Sequence, residues 1–89
     1  MRWAAKVDRT HREVVTTFRS CGANVLDLSR VGQGCPDLLV YRAGQWWLVE
    51  VKDAAGKLNI EQRAFINQGW PVRVIRSRDE AIQMMQGLA

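Results

Sequence analysis

Alternating blocks of apolar and polar residues predict where the helices and strands of this chain lie. Apolar residues recur at helical spacing from Trp3 to Ser20, and Cys21-Gly22 follows as a C-terminal cap, so this segment predicts the first helix. A short apolar alternation from Asn24 to Leu28 predicts the first strand. The glycines within Ser29 to Pro36 then indicate a loop.

The centre of the chain has the pattern of a β-hairpin. Two apolar runs, Asp37 to Tyr41 and Trp46 to Val51, flank the turn-forming residues Arg42-Ala43-Gly44-Gln45. β-Branched and aromatic residues dominate both runs, as is typical of strands. This stretch therefore predicts the second and third strands, joined by a short turn.

The C-terminal third of the chain predicts a helix, a strand and a second helix. Asn59, with Gln62 three residues later, resembles an N-terminal capping pair for a helix that ends near Gly69. Val72 to Ile75 predicts the last strand, and Arg78 to Met85 a short amphipathic helix. Together the elements predict one α/β domain, residues 1–89, with a mixed central β-sheet of about four strands flanked by helices.

Three charged residues of the hairpin stand in or beside apolar runs. Asp37 opens the first hairpin strand, Glu50 interrupts the second, and Lys52 follows it. Side chains alternate across a strand, so Glu50 and Lys52 share one face, and Asp37 lies near them on the antiparallel neighbour. Two carboxylates at one site repel each other, and a hard divalent cation such as Mg²⁺ relieves that repulsion. The hairpin therefore predicts a metal site suited to a phosphodiester substrate.

Four segments of the chain resemble a known nuclease superfamily. They read GCPDLLV, WWLVEVK, KLNIEQ and VIRSRDEA, and they are similar to PD-(D/E)XK nucleases and, among these, to the VRR-NUC (virus-type replication-repair nuclease) branch. The resemblance implies a restriction-endonuclease-like core in which Asp37 and Glu50 hold Mg²⁺ or Mn²⁺, with the Val51 carbonyl completing the metal's shell. It implies that Lys52 orients or deprotonates the attacking water. Gln62 would contact a water or a phosphate, and a capping or surface role is its alternative.

The resemblance also implies another acidic residue on the first helix, reaching into the site. At about 100° per residue, His11 lies centrally on the apolar stripe, Asp8 lies at its edge and Glu13 points away. Geometry therefore favours Asp8 or His11 over Glu13, which would need a shift of the helix to face inward. His11 is equally explained as a histidine at the edge of the core, hydrogen-bonded to the backbone.

Net charge favours nucleic acid as the partner. Thirteen Lys and Arg against nine Asp and Glu leave +4, with a sequence pI near 9.7, which fits a polyanion such as DNA. The basic residues of the first helix, Arg2, Lys6, Arg9 and Arg12, lie away from its apolar stripe and are interpreted as a solvated face, with direct phosphate contact as the alternative. No apolar run suits a membrane span, and the N-terminus lacks a signal peptide's apolar core, so a cytoplasmic location is expected, for a phage or a bacterial protein in the host cytoplasm.

The two cysteines indicate neither a disulfide framework nor a zinc site. Cys21 and Cys35 lack paired spacing, so free thiols are expected. Structural zinc takes about four ligands, commonly in close pairs, whereas His11, Cys21 and Cys35 are three scattered candidates. The predicted metal chemistry therefore rests on carboxylates rather than on thiolates.

The resemblance predicts a class of substrate, and the tryptophans, together with that substrate, predict an oligomeric state. VRR-NUC relatives of this size resemble Holliday-junction resolvases and are associated with phages, which implies branched DNA as substrate. A homodimer is expected because the adjacent Trp46 and Trp47 point to opposite faces of one strand, and because a junction offers two strands to cut. Trp70, Ile82 and Met85 are further candidates for the dimer contact.

Two alternative functions compete with the nuclease hypothesis. One is a non-catalytic nucleic-acid-binding subunit of a replication or repair complex that kept the fold. The other is a small structural domain in which Glu50 forms a buried ion pair with Lys52 or with an arginine. The two facing carboxylates favour the nuclease, because a protein without a metal gains nothing from their mutual repulsion.

Overall fold

The computed structural model describes the backbone of residues 2–87 and the side chains of residues 9–87. The elements are α1 (Arg2–Ser20), β1 (Asn24–Asp27), β2 (Leu38–Arg42), β3 (Gln45–Val51), α2 (Ile60–Asn67), β4 (Val72–Ile75) and α3 (Arg78–Gln86). Their order confirms the predicted α/β fold. Among the described residues, no helix is long and apolar enough to cross a membrane.

The four strands form one mixed sheet in the order β1-β2-β3-β4. The pairs β1–β2 and β2–β3 are antiparallel, whereas β4 runs parallel to β3 after the crossover through α2. The predicted hairpin is confirmed, but its turn is shorter than predicted, because Arg42 pairs with Gln45. Ala43 and Gly44 both have positive φ, 53° and 81°, as a two-residue turn of type I′ requires.

The core lies between one face of the sheet and the helices α1 and α3. Alternate residues of the central strands point into it, which fixes the register, since a slip of one residue would expose them. The buried apolar residues are Val14, Phe18, Ala23, Leu38, Val40, Val49, Val51, Ile75, Ala81, Met84 and Met85. Met85, a candidate for the dimer contact by sequence, is only 3% exposed and therefore belongs to the core.

The opposite face of the sheet is only partly covered. The register places Leu26, Leu39 and Leu48 side by side on this face, and Tyr41 beside Trp46. Leu26 is 58% exposed and Trp46 is 65% exposed. Trp47 packs against the core instead, which confirms that the adjacent tryptophans face opposite sides. We call the following residues the open sheet face: Leu26, Leu39, Tyr41, Trp46 and Leu48.

Candidate active site

The two predicted carboxylates meet at one end of the sheet. Leu38 pairs with Val49, so the next residues outward, Asp37 and Glu50, stand opposite each other on the face away from the core. The Glu50 side chain is only 4% exposed, although it carries a carboxylate. The Asp37 Oδ2 accepts a hydrogen bond of 2.9 Å from the Val51 backbone N–H. Asp37 therefore joins the start of β2 to the end of β3.

Lys52 brings a positive charge to the same face. Its Nζ lies 3.7 Å from the Glu50 Oε2, and its side chain is 21% exposed. Its backbone N–H donates to the Ile75 carbonyl at 3.1 Å, which continues the pairing of β3 with β4. Because this backbone bond holds the residue in line with the strand, its side chain emerges beside Glu50, as the alternation of the strand predicts.

Gln62 approaches Glu50 from the first turn of α2. Its Nε2 donates to the Glu50 Oε2 at 3.0 Å. Its Oε1 accepts from the Asn59 backbone N–H at 2.9 Å, and the Asn59 Oδ1 accepts from the Gln62 backbone N–H at 2.8 Å. The capping pair is therefore confirmed, and the same amide that caps the helix also contacts the buried carboxylate. An amide held at its oxygen must direct its donor toward Glu50.

Burial and the neighbouring carboxylate make Glu50 an unusually weak acid. Desolvation, followed by the charge of Asp37 and a hydrogen bond with it, raises the Glu50 pKa from 4.5 to about 7, while Lys52 acts in the opposite direction. At neutral pH the carboxyl is therefore about half protonated in the protein alone. A divalent cation between the two carboxylates would favour the ionised form, because it replaces repulsion by attraction.

The raised pKa of Glu50 predicts how the stability of the metal-free protein depends on pH. The folded chain keeps a proton on Glu50 that the unfolded chain releases near pH 4.5. The contribution of Glu50 to stability is therefore fully present below that pH and is lost as the pH rises to about 7. We expect a loss of about 3 kcal/mol in the free energy of unfolding, and Glu50→Gln should abolish it. Thermal melting in EDTA between pH 4.5 and 8 measures this, with the exposed Glu61→Gln as control. Parallel curves for the protein and for Glu50→Gln would contradict it.

The available donors fit a magnesium-type ion. Among the described residues, no group of three or more His, Cys, Asp and Glu is placed to hold a metal ion. Asp37 and Glu50 would provide two carboxylate ligands. A carbonyl such as that of Val51, water and substrate phosphate would fill the remaining coordination positions of the metal. One or two carboxylates with water and phosphate are the usual donor set for Mg²⁺ in nucleotide chemistry. The repulsion between the buried Glu50 carboxyl and the half-buried Asp37 is a physical reason for a cation there.

Two of the three residues predicted on the first helix, His11 and Glu13, do not complete this pair. The His11 Nε2 lies 3.4 Å from the Asp27 Oδ2 at the end of β1, so its partner is neither of the site carboxylates nor the backbone. Glu13 is exposed and lines a groove between α1 and α3. The side chain of Asp8 lies outside the described residues. Because α1 packs on the core face of the sheet, Glu13 and Glu50 lie on different sides of it.

Cys35 lies close to the carboxylates, which its interpretation as a simple free thiol did not anticipate. It is free and half-buried. Burial, followed by the charges of Glu50 and Asp37, raises the pKa of its thiol, so the thiol stays protonated. The sequence does contain an indication of this proximity. Cys35 lies two residues before Asp37, and residues two apart in an extended segment point the same way.

Gly34 fits the loop before Asp37 tightly against α2. A Cβ at this position would lie 2.1 Å from the Glu61 carbonyl oxygen, and the residue has a φ of +79°. Both the close contact and the left-handed backbone require glycine. Gly34 therefore lies against the helix that carries Gln62, and this contact ties the Asp37 loop to the first turn of α2.

Substituting Gly34 should destabilise the fold far more than substituting its neighbour Gly32. Gly32 has a φ of +78° but nothing within 4 Å of the added Cβ, so Gly32→Ala should cost only about 1 kcal/mol. Gly34→Ala adds a backbone clash to the same conformational cost, and we expect a total of at least about 3 kcal/mol. Urea denaturation of both variants compares them directly. Equal losses would show that the loop retreats from α2 without strain.

Arg76 fixes the segment between Lys52 and α2, which local sequence patterns do not reveal. Its Nη1 donates to the Asp53 carbonyl at 3.0 Å and also to the Gly56 carbonyl. These bonds satisfy two carbonyls of a loop that has no strand or helix of its own. The loop thereby fixes the position of Lys52, which precedes it, relative to Gln62, which follows it.

The fold and the site together define a class of protein. An α/β domain with a mixed sheet, two facing carboxylates at its end and a lysine two residues beyond has the core of a nuclease. A comparison with solved structures gives the family: a chain described as "VRR_NUC domain" matches with a TM-score of 0.71 and 31% identity, over 94% of this chain and 98% of that chain. No family model and no curated protein matches. The chain belongs to the VRR_NUC domain family, as its sequence resemblance predicted, and has a nuclease-type function.

Proposed function

We propose that the protein is a metal-dependent endonuclease that hydrolyses DNA phosphodiester bonds and prefers branched DNA such as a four-way junction. In this proposal residues 1–89 act as one nuclease domain. The main support is the pair of carboxylates, Asp37 and Glu50, which face each other on one sheet face with the Lys52 ammonium 3.7 Å from Glu50. A second carboxylate beside the buried Glu50 is costly unless a cation accompanies the pair.

Asp37, Glu50 and the Val51 carbonyl are the groups that would hold Mg²⁺ or Mn²⁺. When bound, the ion supplies Lewis-acid stabilisation of charge on the phosphate. Gln62 holds the Glu50 Oε2 through a hydrogen bond, and the Asp37 Oδ2 is held by the Val51 N–H, so neither carboxylate rotates freely. Held ligands lower the reorganisation needed during reaction, which is the main contribution of the protein scaffold to this type of catalysis.

Lys52 has two roles in the proposal. Its ammonium orients the attacking water beside the scissile phosphate, and it offsets the negative charge that develops on the phosphate in the transition state. The side chain is suited to this because it is largely buried beside Glu50 yet keeps 21% of its surface exposed toward solvent. An ammonium in a partly desolvated position interacts more strongly with developing charge than one in water.

A cleavage assay with metal and substrate varied together tests the proposed function. Labelled four-way junction, flap, linear duplex and single strand are incubated with the purified protein in Mg²⁺, Mn²⁺ or EDTA. We expect cleavage with either metal but none in EDTA, and the fastest cleavage on the junction. Binding without cleavage in both metals would instead favour a non-catalytic nucleic-acid-binding subunit. Equal rates on junction and linear duplex would remove the preference for branched DNA.

The proposal includes a homodimer formed through the open sheet face. Trp46 and Tyr41 contact each other with ring centroids 4.6 Å apart, and Leu26 lies nearby on the same face. An exposed cluster of this kind usually marks an interface. Two-fold symmetry would supply two sites for the two strands of a junction. Trp70 is 50% exposed but stacks on Phe65 of α2, and so lies outside this cluster.

Introducing a charge into the open sheet face should dissociate the dimer. We expect Trp46→Glu to give the 10.1 kDa monomer at all concentrations, because a carboxylate cannot be buried there without a partner. Trp70→Glu is the matched control and should stay dimeric. Light scattering over a dilution series measures both. An unmodified chain that remains at 10.1 kDa at high micromolar concentration, while still cutting junctions symmetrically, would refute the dimer.

A further inference from the structure

A basic groove lies between α1 and α3, on the core side of the sheet. It has a volume of about 600 Å³ and is open to solvent. Three arginines line it, Arg9 and Arg12 from α1 and Arg78 from the start of α3, against one carboxylate, that of Glu13. We call it the α1–α3 groove. Because the arginines come from two separate helices, the charge pattern of α1 alone does not predict that they lie close together.

Within residues 9–87, whose side chains the structure describes, the positive charge of the groove is only weakly compensated. Arg9 and Arg12 are exposed and three residues apart, so they lie on one side of the helix. Arg78 is 61% exposed at its side chain and lies 3.9 Å from Asp79, an exposed pair of the kind that contributes little. Guanidinium groups that are free to make further bonds suit phosphate oxygens, which they bind in a bidentate fashion.

The sheet separates this groove from the candidate active site. On β3, Val49 and Val51 point into the core beneath α1 and α3, whereas Glu50 points to the other face, toward Gln62 of α2. The smallest extent of the molecule is 20 Å. A straight duplex lying over the carboxylates does not reach the groove. A second arm of a branched molecule can reach it, and so can a single-stranded tail long enough to pass around the molecule, which takes more than the roughly six nucleotides that span 20 Å at roughly 3.4 Å each.

We propose that the α1–α3 groove binds the phosphate backbone of an arm or tail of DNA other than the one being cut. The inference rests on the proposed function, since it assumes that DNA is held at the carboxylates, and it gives a physical reason for a preference for branched or tailed substrates. Contacts of this kind are independent of sequence and sensitive to salt, because each phosphate that is neutralised releases counterions.

Binding measurements on a triple variant test the groove. Arg9→Gln/Arg12→Gln/Arg78→Gln is compared with Arg30→Gln/Arg63→Gln/Arg73→Gln, which removes the same charge from exposed arginines that do not line the groove. Fluorescence anisotropy in EDTA gives the dissociation constant and its salt dependence for a four-way junction, a duplex with a twelve-nucleotide tail (roughly 40 Å at the spacing above) and a blunt duplex of one arm's length.

We expect the groove variant to lose at least about tenfold in affinity for the junction and the tailed duplex, and to lower the salt slope by about 2 to 3. Its affinity for the blunt duplex should not change. The control variant should lower the affinity for all three substrates equally, or for none of them. Should the triple variant fail to fold, the single substitutions apply, each with a slope change of about 1.

Loss of affinity for the blunt duplex as large as that for the junction would overturn the proposal, as would no loss for any substrate. If the groove variant lost affinity for the tailed duplex but not for the junction, the groove would bind single strands and not duplex arms. Because these measurements use no metal and no cleavage, their outcome is separate from that of the proposed function. If the protein binds junctions through the groove but cuts nothing, the groove stands and the endonuclease proposal falls.

Discussion

Glu50→Gln is expected to lower the rate of DNA cleavage by at least about a thousandfold while the protein remains folded. Glutamine has the size of glutamate and can still accept the hydrogen bond that Gln62 donates to the Oε2. It removes the charge that a divalent cation requires. Since the Glu50 pKa is raised to about 7, the variant should also melt at a higher temperature than the unmodified protein at pH 8 in EDTA.

Asp37 should behave differently in the stability measurement. Its Oδ2 accepts the Val51 N–H, so Asp37→Ala leaves that donor unpaired, at a cost of about 1 to 3 kcal/mol, although it also removes the charge that repels Glu50. Cleavage should be lost in both variants. Cleavage assays beside thermal melting, with the exposed Glu61→Gln as control, separate the two effects. Full activity of either carboxylate variant in Mg²⁺ would exclude the metal assignment.

The parts of the structure that follow local rules could be predicted from the sequence. The alternation of β3 put Glu50 and Lys52 on one face, and the spacing of Asn59 and Gln62 predicted the capping box that the structure contains. Antiparallel pairing across the hairpin predicted that Asp37 lies near Glu50 or Lys52, and the structure places it opposite Glu50. These features depend on residues that are close in sequence or joined by one turn, so periodicity is enough to place them.

What could not be predicted depends on contacts between elements that are distant in sequence. The helical stripe of α1 placed His11 inward but could not say that it would meet Asp27 at the end of β1. The contact of Gly34 with Glu61, the bonds of Arg76 to the loop after Lys52, and the approach of Arg78 to α1 are of the same kind. Each requires the relative position of two elements, which hydrophobic periodicity does not contain.

Gln62 combines a local feature, the helix cap, with a contact between distant elements, the hydrogen bond to Glu50. Sequence placed it at a helix start and, by resemblance, near a site, as alternatives. The structure shows the cap, because the Gln62 backbone N–H and Oε1 complete it, and it also shows that the Nε2 donates to Glu50. Contact of this amide with a water or a phosphate stays a prediction. A side chain with an acceptor and donors on separate atoms can make both contacts, which a glutamate at this position could not do without placing a third carboxylate beside Glu50.

Lys52→Ala is expected to reduce the cleavage rate by at least about a hundredfold while changing the DNA dissociation constant by less than about threefold. The Lys52 Nζ lies 3.7 Å from the Glu50 Oε2, beside the carboxylates, where its charge acts on the transition state. One phosphate contact is a small part of the electrostatic attraction exerted by thirteen basic residues.

The measurement for Lys52 separates binding from chemistry. Single-turnover rates at saturating metal and DNA are compared with dissociation constants measured in EDTA, because the loss of Lys52 also removes a charge that favours ionised Glu50 and so weakens metal binding at low metal concentration. Lys57→Ala, which removes an exposed lysine from the following loop, is the matched control and should leave the single-turnover rate unchanged. A fall in affinity as large as the fall in rate would make Lys52 a docking residue rather than a catalytic one.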